Sequence, residues 1–166
     1  MDTFSHALWG YGLFGYKRYA ILAAFFGAMP DLISFGALIA LNIIQGNLHS
    51  DPPPIGTLPS WLFTNYALGH SFVICLPIIA LVALWRKPIA FAMLAWPFHI
   101  VLDFPFHSFK YFPTPMFWPI SDFKIDGIPW SHWYIWLPNL AGLMLLFYFR
   151  KRQHRHQKTS PNPEKI

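Results

Sequence analysis

The chain has 166 residues, of which 55% are hydrophobic and only 11% are charged. Charged residues make up about a quarter of an ordinary soluble domain, so this composition excludes that class and indicates a membrane protein. The single cysteine, Cys75, excludes an internal disulfide and a metal site built from cysteines. The net charge of +5 arises from basic residues at the ends of apolar segments and in the C-terminal tail. It therefore indicates membrane topology and argues against a nucleic-acid partner.

Five apolar stretches follow one another along the chain, and they cover residues 3–16, 19–45, 61–85, 88–107 and 130–149. Stretches of this composition are typical of helices that cross a bilayer. We therefore predict an all-α polytopic membrane bundle with four to five transmembrane segments, formed by residues 1–149. The polar and basic residues 150–166 are predicted to form a disordered cytoplasmic tail.

Basic clusters end three of these stretches, at Lys17-Arg18, at Arg86-Lys87 and at Arg150-Lys151-Arg152. Lysine and arginine accumulate on the cytoplasmic side of membrane proteins. Placing all three clusters there gives one self-consistent topology, with the N-terminus outside and the C-terminus inside. The segments 46–60 and 108–129 are then external loops.

Ionisable residues interrupt the apolar stretches at similar depths. In the fourth stretch His99, Asp103 and His107 stand at i, i+4 and i+8, which places them on one face of a helix. Counted at about 1.5 Å per residue from the nearest basic cluster, a set of five residues lies roughly 16–24 Å into the membrane: His6, Asp31, His70, His99 and Asp103. Isolated charges are costly at that depth. We therefore expect these five side chains to converge on one layer.

Imidazole and carboxylate groups are the common ligands of zinc, iron and manganese. The layer therefore predicts a bound divalent metal, zinc in the first place and iron or manganese as alternatives. A proton or ion pathway would use the same residue types and remains an alternative. Haem ligation by paired histidines is a second alternative, although it gives Asp31 and Asp103 no role.

The sequence also predicts positions for several polar residues and one proline around the layer. His107 and His132 are expected nearer the external surface, where they would close the site, and Asn139 is expected to be a hydrogen-bond partner within the layer. Pro30 should kink its helix beside Asp31 and so form part of a cavity wall. The pattern G-x-G-x-x-G at residues 10–15 follows no strand, so we interpret it as close helix packing and not as nucleotide binding.

Several short motifs occur in a fixed order: Met1-Asp2, Ser5-His6-Ala7-Leu8, Met29-Pro30-Asp31, Gly69-His70-Ser71, His99-x3-Asp103, and Thr114-Pro115-Met116-Phe117-Trp118-Pro119 with Ser121-Asp122. In these motifs the chain resembles the bacterial inner-membrane family of predicted membrane-bound metal-dependent hydrolases, the YdjM-like group. The order His, Asp, His, His-x3-Asp is also similar to that of zinc-dependent phospholipase C, a helical phosphodiesterase. This second similarity implies metal ligation by His6, Asp31, His70, His99 and Asp103.

The expected function is that of a membrane-embedded metal-dependent hydrolase, multi-pass in the bacterial inner membrane with a cytoplasmic C-terminus. A site in the outer half of the bilayer favours a phosphoester or a lipid-linked substrate, so membrane lipid is the expected partner. Asp31 and Asp103 are the candidate catalytic residues, because a carboxylate beside a bound metal orients or deprotonates the attacking water. The alternative function is a metal-ion or proton transporter that uses the same layer.

Overall fold

A computed structural model of the protein describes residues 1–47 and 53–159. Within these ranges the chain is helical and contains no β-strand, which confirms the predicted all-α class. The α-helices of the described residues are α1 (Thr3–Phe14), α2 (Ala20–Asp31), α3 (Ala37–Ile44), α4 (Ser60–Gly69), α5 (Phe72–Trp85), α6 (Lys87–Met93), α7 (Ala95–Asp103) and α8 (Trp133–Thr159).

Two helical segments are long and apolar enough to cross a membrane. The first is Ala20–Ile44, which joins α2 and α3 through a π-helical turn, Leu32–Gly36. The second is Lys87–Phe106, which contains α6, α7 and a short 3₁₀ turn. The pair α4 and α5 passes the same test only as one span bent by 51°. The described residues therefore offer two to three candidate spans, which is compatible with insertion in a membrane.

The predicted four to five transmembrane segments are not confirmed. Helix α1 has 12 residues, which at about 1.5 Å per residue is too short for a hydrocarbon core of about 30 Å. Helix α8 is long enough, but its apolar part is diluted by Pro138 and Asn139 and is followed directly by Arg150 and further basic residues. The larger number of spans stays a prediction.

Helix α8 also continues into the region that was predicted to be disordered. It ends at Thr159, whereas the predicted tail begins at residue 150, and residues 160–166 lie outside the described part of the chain. Lysine, arginine and glutamine have high helix propensity, which explains why the polar continuation stays helical. Arg150 fixes this region to α1 by donating to the carbonyls of Tyr11, Gly12 and Gly15 at the end of that helix.

Close packing of α1 on α2 brings His6 into the interior. A Cβ atom on Gly10 would collide with the carbonyl oxygen of Ala23, and one on Gly27 would collide with the carbonyl oxygen of His6. Only glycine allows the two backbones to approach this far. The predicted role of Gly10 in helix packing is therefore confirmed, and the same approach places His6 against α2.

Asp31 lies where regular helix ends. Pro30 lacks an N–H and so interrupts the hydrogen bonding of α2, and the chain widens into the π-helical turn directly after Asp31. The Ser34 hydroxyl donates to the carbonyl of Pro30 at 2.9 Å. Gly69 at the end of α4 packs against Pro30, where a Cβ would lie 3.0 Å from the proline Cα. This contact brings His70, the next residue, close to Asp31.

One hydrophobic cluster lies between the ionisable residues and the basic end of the bundle, and a second, of Leu62, Tyr66 and Phe112, lies on the loop side. The first cluster is formed by α5, α6 and α7 and contains the buried residues Cys75, Ile79, Ala90, Met93, Trp96 and Ile100. At the opposite end, the segment between α7 and α8 folds back on the helices. It is held there by backbone hydrogen bonds from Gly127 to the His107 carbonyl and from Phe72 to the Met116 carbonyl.

Candidate metal centre

Four buried side chains from three parts of the chain meet in the interior: Asp31, His70, His99 and Asp103. One ligand atom of each lies within 4.8 Å of the ligand atoms of the other three, so the group could hold a metal ion. The Nε2 atoms of His70 and His99 are 3.0 Å apart. Both lie close to Oδ2 of Asp103, at 3.3 and 3.2 Å, and further from Oδ1 of Asp31, at 3.7 and 3.8 Å.

The protonation of the two imidazoles follows from their backbone contacts. Nδ1 of His70 is 2.9 Å from the Tyr66 carbonyl oxygen, and Nδ1 of His99 is 2.7 Å from the Gly27 carbonyl oxygen. A carbonyl oxygen only accepts hydrogen bonds, so each Nδ1 must carry the proton. In the neutral form, each Nε2 then presents a lone pair to the other. This tautomer is the one that metal-binding histidines commonly adopt.

Each of the two carboxylates accepts hydrogen bonds through one oxygen, and its other oxygen faces His70 and His99. Thr3 donates its hydroxyl to Oδ2 of Asp31 at 2.8 Å. Oδ1 of Asp103 accepts from Nε2 of His6 at 2.8 Å and also contacts the Met1 amino group. Oδ2 of Asp103 is buried and has no hydrogen-bond partner in the described residues. The carboxylates therefore add two acceptors to the two imidazole lone pairs.

These four acceptors fit a cation well. Adjacent ligand atoms of a tetrahedral zinc site lie about 3.3 Å apart, because each lies ~2.0–2.1 Å from the metal. The distances from Asp103 Oδ2 to the two imidazoles match that spacing, and those from Asp31 are slightly longer. With both histidines neutral, these four buried acceptors repel one another unless a cation lies among them. The donor set and its geometry therefore suit a divalent metal.

His6, a predicted ligand, lies at this group but outside the four residues that could share one ion. Its ring stacks on that of His99 with centroids 3.6 Å apart, and its Nε2 contacts Asp103. Its Nδ1 is buried and has no hydrogen-bond partner among the described residues. In this geometry His6 positions the Asp103 carboxylate. All five predicted site residues are thus brought together, four around one point and His6 beside them.

The two histidines predicted at the external edge differ in position. His107 lies next to the site, with Nε2 3.5 Å from Oδ2 of Asp103 and Nδ1 2.9 Å from the Phe112 carbonyl oxygen. A 3₁₀ turn separates it from α7, so it does not continue the regular helix that its spacing predicted. His132 is exposed and stacks on Tyr134, with ring centroids 5.1 Å apart.

The predicted hydrogen-bond partner Asn139 joins two helices and does not contact the metal ligands. Its Oδ1 accepts from Trp9 at 2.7 Å, and its Nδ2 donates to Ser5 at 2.9 Å. Ser5 in turn contacts Asp2, which caps the start of α1. Asn139 therefore links α8 to the helix that carries His6.

Sequence reasoning missed the aromatic and hydroxyl neighbours of the site. Tyr66 stacks on His70 with centroids 3.9 Å apart and donates its hydroxyl to the Phe112 carbonyl at 2.8 Å. Phe112 is buried with a positive φ of 53°, a conformation that is uncommon for a bulky residue. The signal for Tyr66 was its position four residues before His70 on a helix, whereas Thr3 and Phe112 gave none.

A cavity of about 460 Å³ lies on the loop side of the site. Tyr66 and Phe112 are part of its wall. Tyr66 therefore borders the cavity and also stacks its ring on His70. The polar residues of the lining include Thr64, Asp122 and Lys124. Trp118, whose carbonyl accepts a hydrogen bond from the Ser71 hydroxyl, also lines the cavity.

Comparison of the chain with protein-family models, curated proteins and solved structures gives no match. The resemblance to the membrane-bound metal-dependent hydrolases therefore stays a prediction. The chemistry assigned to the site depends on the buried group of two aspartates and two histidines.

Proposed function

We propose that the protein is a membrane-embedded metal-dependent hydrolase. In this proposal Asp31, His70, His99 and Asp103 hold a divalent cation, with zinc the first candidate and iron or manganese the next. The single observation that carries it is the set of four buried acceptor atoms, in which the histidine tautomers are fixed by backbone carbonyls. A purely structural membrane bundle has no need for such a set, because burying these groups is unfavourable unless they are paired or bind a cation.

A divalent cation bound at this group would lower the pKa of a water molecule and polarise a phosphoryl or carbonyl oxygen. The remaining groups supply proton transfer and positioning. Asp31 and Asp103 are the candidates for orienting or deprotonating the attacking water. His107 has a buried Nε2 with no hydrogen-bond partner in the described residues, which suits a group that accepts or returns a proton.

The proposed substrate is a phosphoester or a lipid-linked molecule that enters from the outer half of the bilayer. His99 lies twelve residues from Lys87 along α6 and α7, or about 18 Å from the basic end. The loop-side cavity borders the site through Tyr66, and Lys124 in its lining provides a positive charge for a phosphate group. The proposed location is the bacterial inner membrane, as the family resemblance implies, with the cytoplasmic C-terminus that the basic clusters predict.

A metal-ion or proton transporter is the second candidate. One specific observation favours it: a single proton shared between the Nε2 atoms of His70 and His99, 3.0 Å apart, would relieve their repulsion without a metal. A transport pathway would also have to reach the basic end. The buried core of α5, α6 and α7, which includes Ile79, Met93 and Trp96, occupies that side with apolar packing. This arrangement favours a site with one entrance, as a hydrolase needs.

The test is hydrolysis by purified full-length protein in lipid nanodiscs loaded with zinc, manganese or iron. The probes are bis(p-nitrophenyl) phosphate and a fluorogenic phospholipid, and the variant is Asp31→Asn. The matched control is Asp126→Asn, because Asp126 is in the external loop and accepts from the Phe109 backbone N–H, which asparagine also allows. Metal-dependent turnover that falls at least a hundredfold in Asp31→Asn alone would support the proposal.

Two outcomes would contradict it. Turnover that is unchanged in Asp31→Asn would come from a contaminant or from another site. Absence of turnover with every metal and probe, together with metal-ion or proton flux in proteoliposomes that Asp31→Asn abolishes, would replace the hydrolase with the transporter.

A further inference from the structure

A second and larger cavity lies at the opposite, basic end of the bundle. Its volume is about 900 Å³, and it lies between the connection from α1 to α2 and the start of α6. It is lined by Tyr16, Arg18, Tyr19, Lys87, Pro88 and Phe91. It is remote from the metal centre, since Lys87 and His99 are separated by most of α6 and α7. The hydrolase chemistry makes no use of it.

The charge at this cavity is positive, and no acidic side chain of the described residues lines it. Arg18 and Lys87 both line it, and Arg86 is adjacent in the chain. Within the described residues, acidic side chains occur only in the metal centre, at the start of α1 and in the loop between α7 and α8: Asp31, Asp103, Asp2, Asp122 and Asp126. The cavity therefore attracts an anion, and its two cations come from separate parts of the chain.

The remaining walls are aromatic and apolar. Tyr16, Tyr19 and Phe91 provide rings, and the Arg18 guanidinium lies 5.1 Å from the centre of the Tyr19 ring while donating to its hydroxyl at 2.9 Å. A guanidinium has five N–H groups, so this one bond leaves Arg18 able to bind a phosphate. Tyrosine and tryptophan rings at the level of lipid headgroups are typical of membrane interfaces.

The surroundings of the cavity are those of a lipid-facing surface. Ile21 on α2 is 81% exposed and Leu84 on α5 is 75% exposed, both within a few residues of the lining. If the candidate spans that contain α2 and α6 cross a membrane, such exposed side chains would contact acyl chains. A ligand with a phosphate group in the cavity and hydrocarbon beside Ile21 and Leu84 would satisfy both the charge and the apolar surface.

We infer that this cavity binds the headgroup of an anionic phospholipid, with Arg18 and Lys87 contacting the phosphate and the aromatic rings packing around the glycerol. A soluble phosphate ester shares the headgroup chemistry but lacks the acyl chains that would cover the apolar surface. The inference is independent of the hydrolase proposal, because it involves none of the residues of the metal centre.

The experiment is native mass spectrometry of the full-length protein in detergent, titrated with dioleoyl phosphatidylglycerol or dioleoyl phosphatidylcholine. The test variant is the double substitution Arg18→Gln with Lys87→Gln. The charge-matched control is Lys151→Gln with Arg152→Gln, two exposed basic residues of α8 that do not line the cavity. Monodisperse elution on size exclusion confirms that both variants are folded.

We expect the wild type and the control to bind one phosphatidylglycerol tightly, and the test variant to bind it at least tenfold more weakly. Phosphatidylcholine should bind weakly to all three proteins. Equal losses in test and control variants would show diffuse attraction to a basic surface and would overturn the inference. Equal binding of phosphatidylcholine, or displacement of the lipid by millimolar glycerol phosphate, would also overturn it.

Discussion

The Nε2 atoms of His70 and His99 lie 3.0 Å apart in the interior of the protein, while the Nδ1 of each ring points to a backbone carbonyl. This relationship fixes two lone pairs towards each other beside the free oxygen of Asp103. A cation relieves the repulsion, and the identity of that cation decides between the hydrolase and the transporter.

Gly69 is required for α4 to approach Pro30 closely. In Gly69→Ala the new Cβ would lie 3.0 Å from the proline Cα and 3.1 Å from its carbonyl oxygen, so these atoms must give way by a few tenths of an ångström. We expect a loss of about 1–3 kcal/mol in the free energy of unfolding, and weaker metal binding because Asp31 and His70 are the neighbouring residues. Thermal unfolding with and without added zinc measures both effects. Gly56→Ala is the matched control, since a Cβ there meets nothing within 4 Å.

His107 is predicted to act in proton transfer and not in metal binding. Its Nε2 is 3.5 Å from Oδ2 of Asp103, and it lies outside the four residues that could share one ion. His107→Gln should keep the wild-type metal content and lower turnover about a hundredfold or more. His70→Ala is the comparison, because His70 is one of the four proposed ligands. If His107→Gln loses as much metal as His70→Ala, His107 is a ligand instead.

Asn139 is predicted to support the packing of α8 on α1. Asn139→Ala removes its hydrogen bonds to Trp9 and Ser5, which should lower the free energy of unfolding by about 1 kcal/mol, the usual net contribution of a hydrogen bond. Metal stoichiometry should not change, because Asn139 contacts no ligand. Elemental analysis and a thermal melt of the same preparation test this, and loss of the metal would show that the contact reaches the site.

Lys124 is predicted to contribute to substrate binding through the loop-side cavity. Lys124→Gln should raise KM for an anionic phosphoester about tenfold, the effect of losing a charged hydrogen bond of ~1.4 kcal/mol, with kcat nearly unchanged. Lys110→Gln is the control, because Lys110 is an exposed loop lysine outside the lining. If both variants behave alike, the cavity is not the substrate entrance.

Much of the site could be predicted from the sequence because burial of ionisable groups in apolar segments is costly. The depths counted for Asp31, His70, His99 and Asp103 required partners in one layer, and the structure brings those side chains together. The spacing of His99 and Asp103 on one helix face was also sufficient to place them together. Thr3 and Phe112 escaped prediction, because they reach the surroundings of the site through contacts between distant segments that no local pattern encodes.

The number of spans and the position of His107 were less predictable for a physical reason. Hydropathy reports composition, whereas the path of the chain depends on breaks such as the one between α4 and α5, where His70 ends one helix and Ser71 caps the next. The same limitation applies to the 3₁₀ turn at Phe104–Phe106, which takes His107 off the regular helix. Helix propensity of the basic residues after Arg150 outweighed their polarity in α8.

The most direct test of the central claim is the metal content of the purified protein. Elemental analysis should be made on wild type, Asp103→Ala and His132→Ala, the last being an exposed histidine as control. We predict near-stoichiometric zinc, iron or manganese in the wild type and in His132→Ala, and loss of that metal in Asp103→Ala. Absence of metal from all three, even after reconstitution with each ion, would contradict the metal centre and leave a proton shared between His70 and His99.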